Sequence, residues 1–359
     1  MKVIHDGDAA YEDIMALCLL LLNADVVAVT VTYGESTTKI GAENMERVCR
    51  MLKPATKIPV AYGSNSATDQ HGNPFPDFIT DEANNILDET DVPQVADSQV
   101  RDSAVQLLYD TLMSSDEKIT IVATGPLTNI AELISKHSDC IGKIEKIVIM
   151  GGAVTVPGNI SDLIFDTKNT LAEWNIYADP KAAEIVFTTK DLPICLVPID
   201  ITRQMPMTRE FYAQLDNETI PALKLVKDML TFLLHKMGEE LFYGKLQFWD
   251  SLSAMITLNP SIASFEEWPL SIDLSTGQTK IDETPSVQGA RVQVATTLHH
   301  VDAAYGTFLK LMKTGSKPTL TGVSDFYDYD GVFFGLPQPN KGASQVSHSE
   351  EQKTYTFRT

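Results

Sequence analysis

Segments with the patterns of strands and helices alternate through the first 200 residues, and this alternation limits the fold more than any other feature. The predicted strands are short, apolar and rich in β-branched residues, and they cover 3–8, 26–33, 119–123, 144–150 and 194–198. Segments with helical spacing lie between them, at 12–23, 40–51, 103–113, 126–135 and 180–187. Repeated alternation predicts an α/β fold with a largely parallel central sheet and helices on both faces.

The second half of the chain has a different pattern. It predicts a long amphipathic helix over 220–242, a shorter helix over 249–258, antiparallel strands within 268–297 and a late helix over 303–312. Residues 63–100 are polar and predict a long surface excursion. No linker divides the chain, so we predict a single domain over 1–313, followed by a polar C-terminal extension over 314–359 that is partly disordered.

Four acids follow the first predicted strand within eight residues: Asp6, Asp8, Glu12 and Asp13. One or two acids there would serve as helix caps or partners of the helix dipole. Four carboxylates at the end of a buried strand repel one another, and a divalent cation offsets that repulsion. The cluster therefore favours a metal site, at the sheet edge where ligands bind in such folds.

Composition and charge limit the binding partners and the cellular location that we expect. The net charge of −20 argues against nucleic acid or an anionic membrane surface, whereas an uncharged nucleoside is not repelled. The four cysteines are scattered without a C-x-x-C motif and are interpreted as reduced, buried thiols. The N-terminal residues lack a signal-peptide pattern, and the longest apolar run, 14–22, is too short to span a bilayer. We therefore predict a cytoplasmic protein.

Five segments together resemble the nucleoside hydrolase family, in order and in spacing. They are D-G-D-A-A-Y-E-D (6–13), V-A-T-G-P-L-T-N-I-A (122–131), I-M-G-G-A-V-T-V-P-G-N (149–159), A-E-W-N-I-Y-A-D-P (172–180) and F-W-D-S-L (248–252). The resemblance runs from residue 2 to about residue 313 and is nearest to the purine-preferring branch. It implies a calcium-dependent enzyme that splits ribonucleosides into free base and ribose, and a homodimer.

The resemblance also implies roles for the acids. Asp8, Asp13 and Asp250 would be calcium ligands, together with the backbone carbonyl of Thr124, while Asp6 would support them. On residue pattern alone, a helix N-cap is the alternative role for Asp250. Glu12 stands where the family usually has aspartate and would be the general base for a calcium-bound water, with one extra methylene of reach.

Sugar and base contacts follow from the same resemblance. The ribose would be held by Glu35, Met150, Asn159, Glu173 and Asn175. Glu173 and Asn175 would point to one side if their segment is extended. Trp249 resembles one half of an aromatic sandwich around the base, and Phe78, with Phe75 as second choice, is predicted to supply the other half. Without the resemblance, Trp249 would be interpreted as a core residue and 173–175 as a surface loop.

Two other functions are open on sequence alone. Asp6-Gly7-Asp8 also fits a metal-dependent phosphohydrolase of the D-x-D type, although the later motifs do not. Because Glu12 departs from the family pattern, a catalytically weak protein that binds nucleoside or calcium is the third hypothesis.

Overall fold

The computed structural model describes residues 1–314, except 70–72, 163, 165–166, 216–218 and 283–290. The predicted C-terminal extension begins at residue 314, and its residues after Thr314 lie outside the described part of the chain. The domain boundary therefore stays a prediction. In the described part, no helix is both long enough and apolar enough to cross a membrane.

Within the described residues, ten strands form one sheet in the order β4-β3-β2-β1-β5-β6-β7-β10-β8-β9. The strands are β1 (Lys2–Gly7), β2 (Asp25–Val31), β3 (Val60–Tyr62), β4 (Arg101–Asp102), β5 (Ile119–Ala123), β6 (Ile144–Met150), β7 (Ile194–Val197), β8 (Ala263–Asp273), β9 (Gln278–Ile281) and β10 (Arg291–Leu298). Pairing is parallel from β4 to β7 and between β7 and β10, and antiparallel for β10–β8 and β8–β9. The predicted α/β class and the antiparallel strands near the C-terminus are confirmed.

The helices are α1 (Tyr11–Asn23), α2 (Thr38–Leu52), α3 (Asp77–Asn85), α4 (Ala104–Ser114), α5 (Thr128–Lys136), α6 (Trp174–Ala178), α7 (Pro180–Thr188), α8 (Ile199–Thr202), α9 (Arg209–Ala213), α10 (Pro221–Met237), α11 (Glu239–Lys245), α12 (Trp249–Leu258) and α13 (Val301–Thr314). The prediction of one continuous helix over 220–242 is wrong, because the segment forms two helices. Gly238 has a φ of 77°, a value that few other residues adopt, and it separates α10 from α11.

Two apolar cores lie on the two faces of the sheet. Val3 packs with α1, α2, α10, α12 and α13 on one face, while the next residue, Ile4, packs with α4, α5 and α7 on the other. This alternation is the period-two geometry of a strand that is buried on both sides, and it explains why the parallel strands are continuously apolar. All four cysteines are buried and free, as the sequence predicted.

Candidate active site

The sheet order reverses direction at its centre. β2, β3 and β4 lie on one side of β1, and β5, β6 and β7 lie on the other. Connections leave the carboxyl ends of β1 and β5 in opposite directions, which opens a crevice there. The acids after β1 and Thr124 after β5 border this crevice, as the sequence predicted for its strand-end residues.

The loop between β1 and α1 turns within three residues. Ala9 adopts a φ of 63° and is fully buried, and α1 starts at Tyr11. The backbone amide of Ala10 donates to Asp13 Oδ2 at 3.0 Å. Asp13 therefore fulfils part of the helix-capping role considered from sequence, while its other oxygen faces the crevice side of β5.

Asp13 and Thr124 are joined directly. The Thr124 hydroxyl donates to Asp13 Oδ1 at 2.5 Å, and His5 Nε2 lies 2.9 Å from the same hydroxyl oxygen. Because the Thr124 hydroxyl donates its one proton to Asp13, it can only accept a hydrogen bond from His5. His5 therefore donates through Nε2–H. Burial lowers the pKa of His5 to about 3, so the imidazole is neutral at pH 7. The sequence analysis missed His5, whose position inside β1 gives no signal of this contact.

Asp8 is tied to the loop after β2. Its Oδ2 accepts the backbone amide of Glu35 at 2.9 Å, and its backbone carbonyl accepts the hydroxyl of Ser36 at 2.6 Å. Glu35 therefore lies beside the acid cluster, as predicted. Burial, followed by the charges of Glu12 and Asp8, raises the pKa of Glu35 well above its usual range.

Asp250 and Glu12 complete a ring of carboxylates around the crevice. Asp250 lies in the first turn of α12, whose N-cap is Phe248, so the capping role considered for Asp250 is wrong. Burial, then the charges of Asp13, Glu12 and Asp8, raises the pKa of Asp250 well above its usual range. Burial and the charge of Asp13 likewise raise the pKa of Glu12. By distance and angle, Glu12 Oε2 is buried with no hydrogen-bond partner among the described residues.

Tyr11 is a second residue that the sequence analysis missed. Its hydroxyl is buried beside the Glu12 carboxylate. The charges of Glu12, Glu35 and Asp250 all act on this phenol and, after burial, raise its pKa. Its place between Ala10 and Glu12 in the acid motif was the available signal.

The donor set fits a cation that prefers oxygen ligands. Asp8, Asp13 and Asp250 are at most 4% exposed and carry like charges, an arrangement that a bound divalent ion stabilises. The Thr124 carbonyl accepts one hydrogen bond, from Asn175 Nδ2 at 3.1 Å, and a carbonyl has two lone pairs. Among the described residues, no three acidic, histidine or cysteine side chains already form a finished metal cage. Both oxygens of Asp13 accept protein hydrogen bonds instead.

Asp6 supports the site from behind. Its backbone carbonyl accepts the amide of Thr124 at 2.9 Å, and its Oδ1 accepts hydrogen bonds from Thr30 and Asn129 at 2.6 and 2.8 Å. Burial raises the pKa of Asp6 to about 7, although both hydrogen bonds oppose the shift. Asp6 thus contacts Thr124 directly, and the supporting role predicted for it stays a prediction.

The segment 172–180 differs from its prediction. It is not extended: Glu173 caps α6, and its carboxylate accepts the amides of Asn175, Ile176 and Gly152. Glu173 and Asn175 therefore do not align through strand geometry. The cause is local, because the Glu173 carboxylate satisfies the free amides at the start of a helix.

Asn175 nevertheless reaches the crevice. Its Nδ2 donates to the carbonyls of Thr124 and Met150, both at 3.1 Å, and so connects the ends of β5 and β6. The predicted ribose residue Asn159 accepts the amide of Trp174 through Oδ1 at 3.2 Å, which places it beside the same helix. The tertiary structure thus connects Asn175 to the ends of β5 and β6 and places Asn159 at the start of α6.

The predicted base-stacking residues have different surroundings. Trp249 is partly buried against an apolar patch of Met150, Ala153 and Ile199. Phe78 lies on α3 and is 49% exposed, whereas Phe75 is 4% exposed and stacks on another ring, that of Trp174, at 4.6 Å. The ring of Phe75, the second choice, thus packs against Trp174 in a buried cluster, whereas the ring of Phe78 is accessible.

Position 7 needs a glycine because the backbone of β1 passes very close to Asp13 and Thr124. A Cβ atom at this position would lie 1.9 Å from Asp13 Oδ1 and 2.6 Å from Thr124 Oγ1, two atoms that hydrogen-bond each other. We expect Gly7→Ala to displace Asp13 and to lower kcat/KM on the order of 100-fold, while the protein stays folded. Steady-state kinetics beside circular dichroism test this expectation. Gly142→Ala, where a Cβ meets nothing within 4 Å, is the control.

With this geometry established, comparison with known proteins identifies the family. The model of the inosine-uridine preferring nucleoside hydrolases matches residues 3–305, and the chain belongs to this enzyme family. It is 31% identical over 288 residues to the pyrimidine-specific ribonucleoside hydrolase RihA of Shewanella sp. (strain MR-7), covering 78% of this chain and 86% of the relative. It is 33% identical over 242 residues to the RihA of Escherichia coli O127:H6, covering 67% and 73%.

Solved structures have the same fold. The purine-preferring ribonucleoside hydrolase from Gardnerella vaginalis superposes with a TM-score of 0.75 at 25% identity, covering 87% of this chain and 98% of that one. The inosine-uridine preferring nucleoside hydrolase from Bacillus anthracis gives a TM-score of 0.69 at 22% identity, covering 87% and 99%. The family resemblance predicted from sequence is confirmed, whereas these relatives include both purine and pyrimidine specificities.

Proposed function

We propose that this enzyme hydrolyses the N-glycosidic bond of ribonucleosides, with purine nucleosides preferred, to give free base and ribose. The observation that carries the proposal is the buried ring of Asp8, Glu12, Asp13 and Asp250 around the strand-end crevice, with Glu35 beside it. Membership of the nucleoside hydrolase family supports the reaction type.

Calcium is the proposed cofactor, held by the carboxylates of Asp8, Asp13 and Asp250 and by the Thr124 carbonyl. When bound, calcium supplies positive charge that orients the vicinal ribose hydroxyls and makes a nearby water easier to deprotonate. His5 and Asn175 keep Thr124 in place through its hydroxyl and its carbonyl, respectively. The burial of three carboxylates that raise one another's pKa supports this ligand set.

The protein's own groups carry out the remaining chemistry. Glu12 accepts a proton from the attacking water, whose oxygen bonds to the anomeric carbon while the bond from that carbon to the base breaks. Glu35, Met150, Asn159 and Asn175 surround the sugar, and Glu173 orients Asn175 by capping α6. Hydroxyl contacts of this kind stabilise the oxocarbenium character of the transition state.

Trp249 supports a preference for purines. Its ring lies partly exposed over the patch next to Met150, and an indole offers a large stacking surface to a bicyclic base. Phe78 is proposed as the second aromatic surface because it is exposed on α3. The RihA relatives are named for pyrimidine specificity, so base preference is the part of the proposal that most needs measurement.

A nucleoside panel tests the reaction and the preference together. Inosine, adenosine, guanosine, uridine and cytidine are incubated with the enzyme and calcium, and released base is quantified by chromatography. We expect Trp249→Ala to reduce purine kcat/KM by about tenfold or more, and to reduce pyrimidine kcat/KM less. Trp268→Ala, at a tryptophan bonded to Glu266 away from the crevice, is the control. Faster turnover of pyrimidines by the wild type contradicts the preference.

The same assay separates the other functions. Release of phosphate from a generic phosphate ester, with no base released from any nucleoside, would favour a phosphohydrolase. Calcium-dependent ribose binding in calorimetry without turnover would favour a binding protein. The cytoplasmic location and the homodimer stay predictions, and cell fractionation and light scattering test them.

A further inference from the structure

Helix α3 lies against the loop that carries Glu35. The Thr37 amide donates to Asn84 Oδ1 at 2.9 Å, and Asn84 Nδ2 donates back to the Thr37 hydroxyl at 3.2 Å. Before α3, Asn73 Nδ2 donates to the Gly34 carbonyl at 2.9 Å. These contacts hold residues 73–85 over the 34–37 loop, and so beside the sugar side of the crevice.

Helix α3 carries one carboxyl, Glu82, whose charge acts on Glu35 in this loop. Glu82 is partly buried, and its charge is among those that raise the pKa of Glu35. Glu82 lies one helical turn after Phe78, a spacing that puts both side chains on the same face of α3. The face that carries the proposed base-stacking ring therefore also carries an acid.

We propose that Glu82 is the general acid that protonates the leaving base. The inference rests on the proposed function and adds a catalytic residue to it. As the bond between the anomeric carbon and the base nitrogen breaks, its electron pair passes to the base. The Glu82 carboxyl gives its proton to a ring nitrogen or carbonyl oxygen of the base, becomes a carboxylate, and regains a proton from solvent. Water supplies the hydroxyl of the released ribose, and its proton goes to Glu12, so the reaction balances.

The electrostatic environment suits a proton donor. Burial raises the pKa of Glu82 to about 7, and the opposing influence is the positive charge of Lys236 at the end of α10. An acid with a pKa near the working pH is protonated in a large fraction of molecules and still transfers its proton readily.

Three other groups that could carry a proton, Lys245, Tyr243 and His5, are engaged elsewhere. Lys245 pairs with Asp162 at 2.6 Å, and the ring of Tyr243 lies under the guanidinium of Arg209 at 4.4 Å. His5 is buried and bonded to Thr124, and its lowered pKa leaves it without a spare proton.

The dependence on the leaving group tests the proposal. Glu82→Gln keeps the shape and removes the acid. We expect its kcat/KM on inosine to fall about 100-fold. On p-nitrophenyl β-D-ribofuranoside, whose leaving group departs without protonation, we expect kcat/KM to stay at the wild-type value. Glu89→Gln, at an exposed position after α3, is the matched control.

Two results would overturn the proposal: equal losses on both substrates, which indicate a structural role, or no loss on either. If Glu82→Gln does not fold, Glu82→Asp gives the same test, because its ratio of inosine to nitrophenyl riboside turnover must still fall. Failure of the wild type on both substrates would instead contradict the proposed function itself.

Discussion

Replacing Glu12 with glutamine is expected to lower kcat by about 10²–10⁴-fold while leaving calcium binding intact. Glutamine has nearly the same size but cannot accept a proton from water at neutral pH. Glu12 Oε2 is buried and has no hydrogen-bond partner in the described residues, so it is free to meet a reactant. The ligands Asp8, Asp13 and Asp250 remain in this variant, which is why metal affinity should change little.

Stopped assays with inosine, together with calcium titration by calorimetry, measure both quantities. Glu145→Gln, at an exposed position on β6, controls for the loss of one negative charge. Glu12→Asp should retain more activity than Glu12→Gln because it keeps a carboxylate. A Glu12→Gln enzyme with normal kcat and a raised KM would assign Glu12 to ribose binding and remove it as the general base.

Asp250→Asn is expected to weaken calcium binding on the order of 100-fold or more and to abolish turnover at low calcium. The same change should stabilise the calcium-free protein. Burial and the charges of Asp13, Glu12 and Asp8 all disfavour ionised Asp250, and asparagine removes that repulsion. Function and stability without calcium therefore move in opposite directions.

Thermal unfolding with chelator and with excess calcium measures this effect. Wild-type Tm should rise with calcium by mass action, whereas the Tm of Asp250→Asn should start higher and respond weakly. Asp116→Asn, at an exposed site before β5, should resemble the wild type. A calcium response that survives in Asp250→Asn would remove Asp250 from the ligand set.

Much of the fold could be predicted because its signals are local. β5, β6 and α12 have the predicted bounds, since buried parallel strands are continuous apolar runs and helices repeat every 3.6 residues. α3 was missed within the predicted surface excursion because it is short and mostly polar, and Ala83 is its buried residue. The 220–242 helix is divided because Gly238 adopts a positive φ, and the spacing of apolar residues carries no information about backbone angles.

The sequence by itself determined the class of fold, the family and the acids that border the crevice, because strand ends in a parallel sheet meet at one edge. Only the tertiary structure decided what each side chain touches. It bonded Thr124 to Asp13 and His5, turned Glu173 into a helix cap, and committed Phe75 to Trp174. It also packed α3, the helix that carries Glu82, against the loop of Glu35. These contacts join residues far apart in the chain, and their geometry depends on packing that no local pattern records.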